Sequence, residues 1–92
     1  MDKPRMTLFF PVYRDEQTVE RVALKAIALL EDLASEYEVI IVDDGSPDRA
    51  GVVAEEIARA REHVRVIHHA QNLGYGVALR TGFQAARYEW IL

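Results

Sequence analysis

The apolar positions of this chain fall into two alternating rhythms. Met6-Thr7-Leu8-Phe9-Phe10 is a short apolar run that reads as a strand stopped by Pro11. From about Gln17 the step lengthens to three and four residues. Val19, Val22, Ala23, Ala26, Ile27, Leu30, Leu33 and Ala34 form one apolar helical face, with Glu20, Lys25, Glu31 and Asp32 opposite. Asp15 is the expected N-cap. A second strand runs from about Tyr37 to Asp43. Ser46 with Pro47 then predicts the start of a second helix, carrying Val52, Val53, Ile57 and Ala60 inward. Val64 to His68 predicts a third strand, and Gln71 to Gly76 a glycine-containing turn. A third helix is expected from Gly76 to Arg87, burying Val77, Leu79 or Ala78, Phe83 and Ala86. Tyr88-Glu89-Trp90-Ile91-Leu92 reads as the opening of a fourth strand.

The order β-α-β-α-β-α-β predicts an α/β fold: a Rossmann-like parallel sheet with helices on both faces, truncated in the fourth strand. The central stretch is Glu38-Val39-Ile40-Ile41-Val42-Asp43-Asp44-Gly45-Ser46-Pro47-Asp48. Its four consecutive β-branched residues suit a strand buried on both faces. The two carboxylates then stand at its carboxyl end, the edge where open α/β sheets bind ligands.

Composition narrows the partners more than the fold. The 92 residues suffice for one small domain, half apolar and 28% charged. A net charge of -4 gives no bulk attraction for nucleic acid or an anionic membrane. With no cysteine, disulfides and thiolate metal sites are excluded. The segment Met1 to Phe10 is too short for a signal peptide, and a cytoplasmic location is expected. Residues 1–92 are read as one incomplete piece of a larger domain, because the chain stops inside a predicted strand.

Three loops should share the carboxyl edge: Pro11 to Glu16, Asp43 to Asp48, and His68 to Gly76. Tyr13 offers a flat face for a nucleobase and Asp15 a hydrogen-bond acceptor, although a packing tyrosine and a helix cap are the plainer readings. Asp43 and Asp44 are neighbours on a strand and so point to opposite faces. One should brace the loops and the other face the crevice. Asn72, Gly74 and Gly76 precede a helix whose free N–H groups favour an anion such as a diphosphate. Arg80, one turn into that helix, is placed to reach a phosphate, with a solvated face as the plainer reading. His68 and His69 point apart and are read as structural.

Taken together the loops resemble family 2 glycosyltransferases. Phe10-Pro11-Val12-Tyr13-Arg14-Asp15-Glu16 is similar to their P-x-Y-N-E opening, and Val42 to Asp48 to their V-D-D-G-S-x-D strand end. Asn72 to Ala78 with Gly82 is similar to their N-x-G-x-x-x-A…G helix opening. The flavour is that of polyprenyl-phosphate (dolichol-phosphate) mannose or glucose synthases. The resemblance implies a GT-A fold, a nucleotide-diphosphate-sugar donor, a polyprenyl phosphate acceptor and transfer with inversion. It places Pro11 and Tyr13 at the base, and Asp15, the backbone of Val42, and Asp44 at the nucleoside, leaving Asp43 as the brace. Mg²⁺ or Mn²⁺ is implied for the full-length enzyme through a D-x-D motif beyond Leu92, and none for this chain alone. The departures are Arg14 in place of Asn and Asp15 in place of Glu.

The isolated chain is therefore expected to be catalytically inactive, and to form a homodimer through the truncated face. The alternative reading is a non-catalytic nucleotide-binding or regulatory module. A receiver-like domain fits poorly, since its acidic pair would follow the first strand, which here ends in Pro11.

Overall fold

The computed structural model describes residues 3–92; Met1 and Asp2, at the start of the segment considered above, lie outside the described residues. The elements are β1 (Arg5–Val12), α1 (Val19–Leu33), β2 (Glu36–Asp43), α2 (Ala50–Ala60), β3 (Val64–His68), α3 (Tyr75–Ala85) and β4 (Trp90–Ile91). All pairings are parallel and the strand order is β3-β2-β1-β4. This is the order of a nucleotide-binding doubly wound half, with the direction of winding reversing beside β1.

Strand alternation sorts the side chains between the two faces. Met6, Leu8, Phe10, Val39, Ile41, Val64 and Val66 pack with Val19, Ala23, Ala26, Ile27 and Leu30 of α1 and with Ala54 and Ile57 of α2. Phe9, Ile40, Val42 and Ile67 pack with Ala78 and Ala85 of α3 on the other face. Val39, Ile40, Ile41 and Val42 are completely buried, as the apolar run predicts. Each such side chain contributes about 1.5–3 kcal/mol relative to exposure. Among the described residues no helix is long and apolar enough to cross a membrane.

Several expected boundaries and inward faces shift. β1 continues through Pro11 to Val12 instead of stopping at Pro11. In β1 the Phe9 N–H points to the β4 side, where it donates to the Leu92 carbonyl at 3.2 Å. Pro11, two residues on, turns its missing N–H to that same side, beyond the last paired residue, so no ladder bond is lost. α1 starts at Val19 with Thr18 as N-cap, and Asp15 contributes only its carbonyl, to the Thr18 and Val19 N–H groups. α2 starts at Ala50 rather than at Pro47. The Ser46 hydroxyl donates to the Val12 carbonyl, and the Asp48 carboxylate accepts from Ala50 N–H at 3.0 Å. Val22 and Leu33 of α1 and Val52 of α2 are exposed at the margins of their helices.

α3 departs most. Its sheet-facing stripe is Ala78, Gly82 and Ala85, whereas Val77 is exposed and Phe83 is 63% exposed. Small residues at i, i+4 and i+7 let the helix sit directly on Phe9 and Ile40. A Cβ at position 82 would lie 2.1 Å from Phe9 Cδ2.

A polar clamp holds the lower edge of the sheet. Glu38, 5% exposed, accepts from the Thr7 hydroxyl (2.8 Å), Arg65 Nε (3.0 Å) and Arg87 N–H (2.7 Å). Arg65 also donates to the Ala85 carbonyl at the end of α3, and Tyr88 N–H donates to Thr7 Oγ1. Burial alone would raise the Glu38 pKa, but the bonds from Arg87, Thr7 and Arg65 outweigh it and hold the carboxyl below its ordinary value.

Gly82→Ala should destabilise the fold by about 1–3 kcal/mol of overpacking against Phe9, partly offset by about 1 kcal/mol of helix propensity. Urea denaturation should show recovery in the Phe9→Leu, Gly82→Ala double variant. An unshifted midpoint for Gly82→Ala alone would contradict the close packing.

Candidate nucleotide-binding crevice

The three loops converge at the carboxyl edge of the sheet, as expected. Arg14 N–H reaches Ser46 Oγ (3.4 Å), and Glu16 N–H reaches Asp48 Oδ2 (3.3 Å). His69 N–H donates to the Asp43 carbonyl at 2.8 Å. Gly45 allows the closest approach. Its φ is +68°, and a Cβ there would stand 2.3 Å from the Gln71 carbonyl carbon. A side chain at this position would meet both a strained backbone and a rigid obstacle.

Asp43 and Asp44 do point to opposite faces, but both of them brace. Asp43 accepts from Ser46 N–H (3.1 Å) and from His68 Nδ1 (2.8 Å), while His68 Nε2 meets Glu55 of α2 at 2.8 Å. Two carboxylate contacts require two N–H donors, the imidazolium form. The bond to Asp43 raises the His68 pKa, burial opposes it, and the bond to Glu55 raises it further.

Asp44 is 3% exposed and holds the third loop. Its Oδ1 accepts from His69 Nδ1 (2.7 Å) and Leu73 N–H (2.9 Å). Its Oδ2 accepts from Asn72 Nδ2 (3.1 Å) and Gly74 N–H (3.0 Å). His69 completes the chain through Nε2, which shares a 2.8 Å hydrogen bond with the Thr81 hydroxyl. Burial pushes the Asp44 pKa up, but the bonds from His69, Leu73 and Gly74 prevail and hold the carboxyl below its ordinary value. The amides of Leu73 and Gly74, just ahead of α3, therefore hold Asp44 itself. The physical reason is proximity: β2 delivers a carboxylate into the loop before any ligand arrives.

Beside this hub lies a crevice of about 360 Å³ lined by Pro11, Val12, Tyr13, Asp15, Asp44, Asn72, Gly74 and Tyr75. Four of the six residues singled out from the sequence thus meet: Pro11, Tyr13, Asp15 and Asp44. Val42 and Arg80 do not line the crevice. Val42 is completely buried, with its backbone in the ladder between Pro11 and Ile67, and Arg80 is exposed on α3. Asn72 and Tyr75 join the site. Asn72 stood in the recognised motif, while Tyr75 carried no signal beyond being an aromatic residue between two glycines. Asp15 is exposed, and its carboxylate makes only a 3.4 Å contact with Tyr13 N–H.

Between them, Arg14 adopts φ +61°, in the left-handed region, and stacks its guanidinium 5.4 Å from the Tyr13 ring centre. Asparagine tolerates that region better than arginine does, which accounts for Asn being the usual residue there in the motif this loop resembles. Arg14 does not line the crevice, so the cation braces the tyrosine from outside it.

Among the described residues no group of three or more His, Asp or Glu side chains is placed to hold an ion. The carboxylates of Asp43 and Asp44 are separated by the sheet and occupied by protein donors.

A parallel sheet in β3-β2-β1-β4 order, with its crevice at the carboxyl end beside β1, defines a Rossmann-like α/β domain. The chain belongs to glycosyl transferase family 2, which it matches over residues 7–92. It is 39% identical over 88 residues to the uncharacterized glycosyltransferase EpsJ of Bacillus subtilis, covering 96% of this chain and 24% of that protein. It is 34% identical over 89 residues to the undecaprenyl-phosphate 4-deoxy-4-formamido-L-arabinose transferase of Proteus mirabilis, covering 96% of this chain and 27% of that one. Among solved structures, the mannosyltransferase PcManGT from Pyrobaculum calidifontis, in complex with GDP-Man and Mn²⁺, superposes with a TM-score of 0.82 at 23% identity. The match covers 97% of this chain and 26% of that one, and it establishes likeness of fold. The chain thus spans about a quarter of the length of these relatives.

Asp44→Asn should destabilise the domain by about 3 kcal/mol, because a carboxamide turns a donor toward the Asn72 and Gly74 donors. The Asp44 pKa lies below the ordinary 3.8, so its stabilisation is complete above that value and is lost as pH falls through the lower folded value. Denaturation midpoints across this acid range should fall less steeply for Asp44→Asn than for the native chain. Equal slopes would show that Asp44 is not the hub.

Proposed function

We propose that this chain is the nucleotide-sugar-binding N-terminal segment of a glycosyltransferase that works in cell-wall or glycan biosynthesis. The observation that carries the reading is the convergence of Pro11, Tyr13, Asp15 and Asp44 on one crevice within a family 2 domain. The donor is a nucleotide-diphosphate sugar, with its base against Tyr13 and its base or ribose donors on Asp15. Asp44 acts by fixing the crevice wall through Asn72 and Gly74. The acceptor is a polyprenyl phosphate, in keeping with the undecaprenyl-phosphate transferase among the relatives. Transfer proceeds with inversion, on the cytoplasmic side of a membrane.

A divalent ion supports the donor diphosphate in the whole enzyme, in keeping with the Mn²⁺ present with GDP-Man in the Pyrobaculum calidifontis mannosyltransferase. Its carboxylate ligands are assigned to a D-x-D motif beyond Leu92, because this chain's carboxylates do not fit the task. The chain alone supplies nucleoside contacts and no catalytic base.

The same reading includes self-association of the isolated chain. Register pairs Trp90 with Met6, placing Trp90 on the α1 face of the sheet, where it is 57% exposed. Val22, Leu29 and Leu33 form an exposed stripe on α1 at i, i+7 and i+11. A second copy covers this apolar surface.

Calorimetric titration with UDP and GDP should detect binding of at least one, weakened about tenfold by Tyr13→Ala and severalfold by Asp15→Asn. Sugar transfer to a polyprenyl phosphate should be undetectable with the isolated chain and Mg²⁺ or Mn²⁺. Absence of nucleotide binding, or metal-dependent transfer by the chain itself, would refute the corresponding part. Sedimentation over a wide concentration range should show dimers, and a strictly monomeric chain would exclude the shared apolar face.

A further inference from the structure

The crevice has a second aromatic wall that the sequence motifs do not account for. Tyr75 is the first residue of α3 and lines the crevice whose other margin carries Tyr13, from the end of β1. It is 70% exposed, the most exposed large apolar side chain described. Its hydroxyl has no hydrogen-bond partner among the described residues. Burial therefore does not explain the ring, and neither does helix formation, since tyrosine has no preference for that position.

The two tyrosines are held by independent devices. Tyr13 is braced from behind by the Arg14 guanidinium. Tyr75 is positioned through its neighbour Gly74, whose N–H is fixed on Asp44 and whose φ of +102° aims the start of α3. The same crevice is lined by the exposed carboxylate of Asp15 and by Asn72. Two aromatic rings with acceptor oxygens of Asp15 and Asn72 in the same crevice match a flat heterocycle bearing N–H groups on its edge.

We infer that Tyr75 is a base-contacting residue that closes a two-tyrosine clamp on the nucleobase of the donor. The inference rests on the donor-site reading above and adds to it a residue from α3. Asp44 then has a functional consequence without touching ligand. By fixing Leu73 and Gly74 it sets the separation of the two walls, so the hub determines how tightly a base is gripped.

The test compares the native chain with Tyr75→Ala and Tyr75→Phe, using UDP, GDP and inorganic pyrophosphate as probes. Because Tyr75 is exposed and unbonded, both variants should melt within a degree or two of the native chain, a shift of the size expected for a surface substitution. Tyr75→Ala should weaken binding of the nucleoside diphosphate about tenfold, while Tyr75→Phe retains it. Pyrophosphate affinity should be the same in all three. In NMR spectra the upfield ring-current shift of the base protons should diminish in Tyr75→Ala and persist in Tyr75→Phe. If Tyr13→Ala weakens nucleotide binding and Tyr75→Ala does not, the clamp is overturned and the donor site stands. Should Tyr75→Ala weaken pyrophosphate equally, or Tyr75→Phe behave like Tyr75→Ala, the contact is to phosphate through the hydroxyl and the base assignment fails. If the native chain binds neither nucleotide, the donor site and the clamp fall together.

Discussion

The carboxylate of Asp44 is the interaction on which the upper edge of this domain depends. It is buried and ionised, and it is satisfied by four donors from one loop: His69, Asn72, Leu73 and Gly74. A buried charge is tolerable only when so compensated. The compensation converts a flexible glycine-containing turn into a fixed wall. Without it the loop would lose most of its ties to β2, and α3 would lose the orientation of its first turn. Gly45 completes the arrangement by letting the backbone of the third loop lie directly against the end of β2.

A second buried carboxylate does a related job at the opposite edge. Glu38 gathers Thr7, Arg65 and the backbone of Arg87, and so ties the end of α3 and the entry to β4 back onto the sheet. Both carboxylates lie on the α3 face, one near each end of the helix. α3 itself contributes little apolar area there, because its contact stripe is Ala78, Gly82 and Ala85. Polar anchors at its two ends and close approach in the middle replace the large side chains that hold α1.

The two histidines show how position decides which elements a ring ties together. His68 lies between two carboxylates and is drawn to the imidazolium form, linking β3 to α2. His69 lies between the Asp44 carboxylate and the Thr81 hydroxyl and links the third loop to α3. Neither is left with a free nitrogen for chemistry. The crevice keeps only Asp15 as a carboxylate largely unoccupied by protein donors, which suits recognition of a ligand more than catalysis.

Much of this was legible along the chain. The change from short continuous apolar runs to three-and-four spacing marked every element in order, since burial in a sheet and on a helix leaves different patterns. The apolar run Val39 to Val42 announced the central strand, and the residues Pro11, Tyr13, Asp15 and Asp44 announced the crevice. The face of α3 was not legible, because hydrophobicity favours Phe83 and Val77 whereas the distance to Phe9 admits only small residues. The employment of Asp44 was not legible either. Strand alternation separates it from Asp43, but whether a carboxylate meets ligand or protein depends on which loop folds over it. Tyr75 belongs with these cases: its place on the crevice wall follows from the direction of α3, which the hub at Asp44 sets. Local sequence determined the order of elements and the type of edge. Long-range contacts decided which groups at that edge remain available, because hydrogen-bond partners and clearances are properties of the assembled loops.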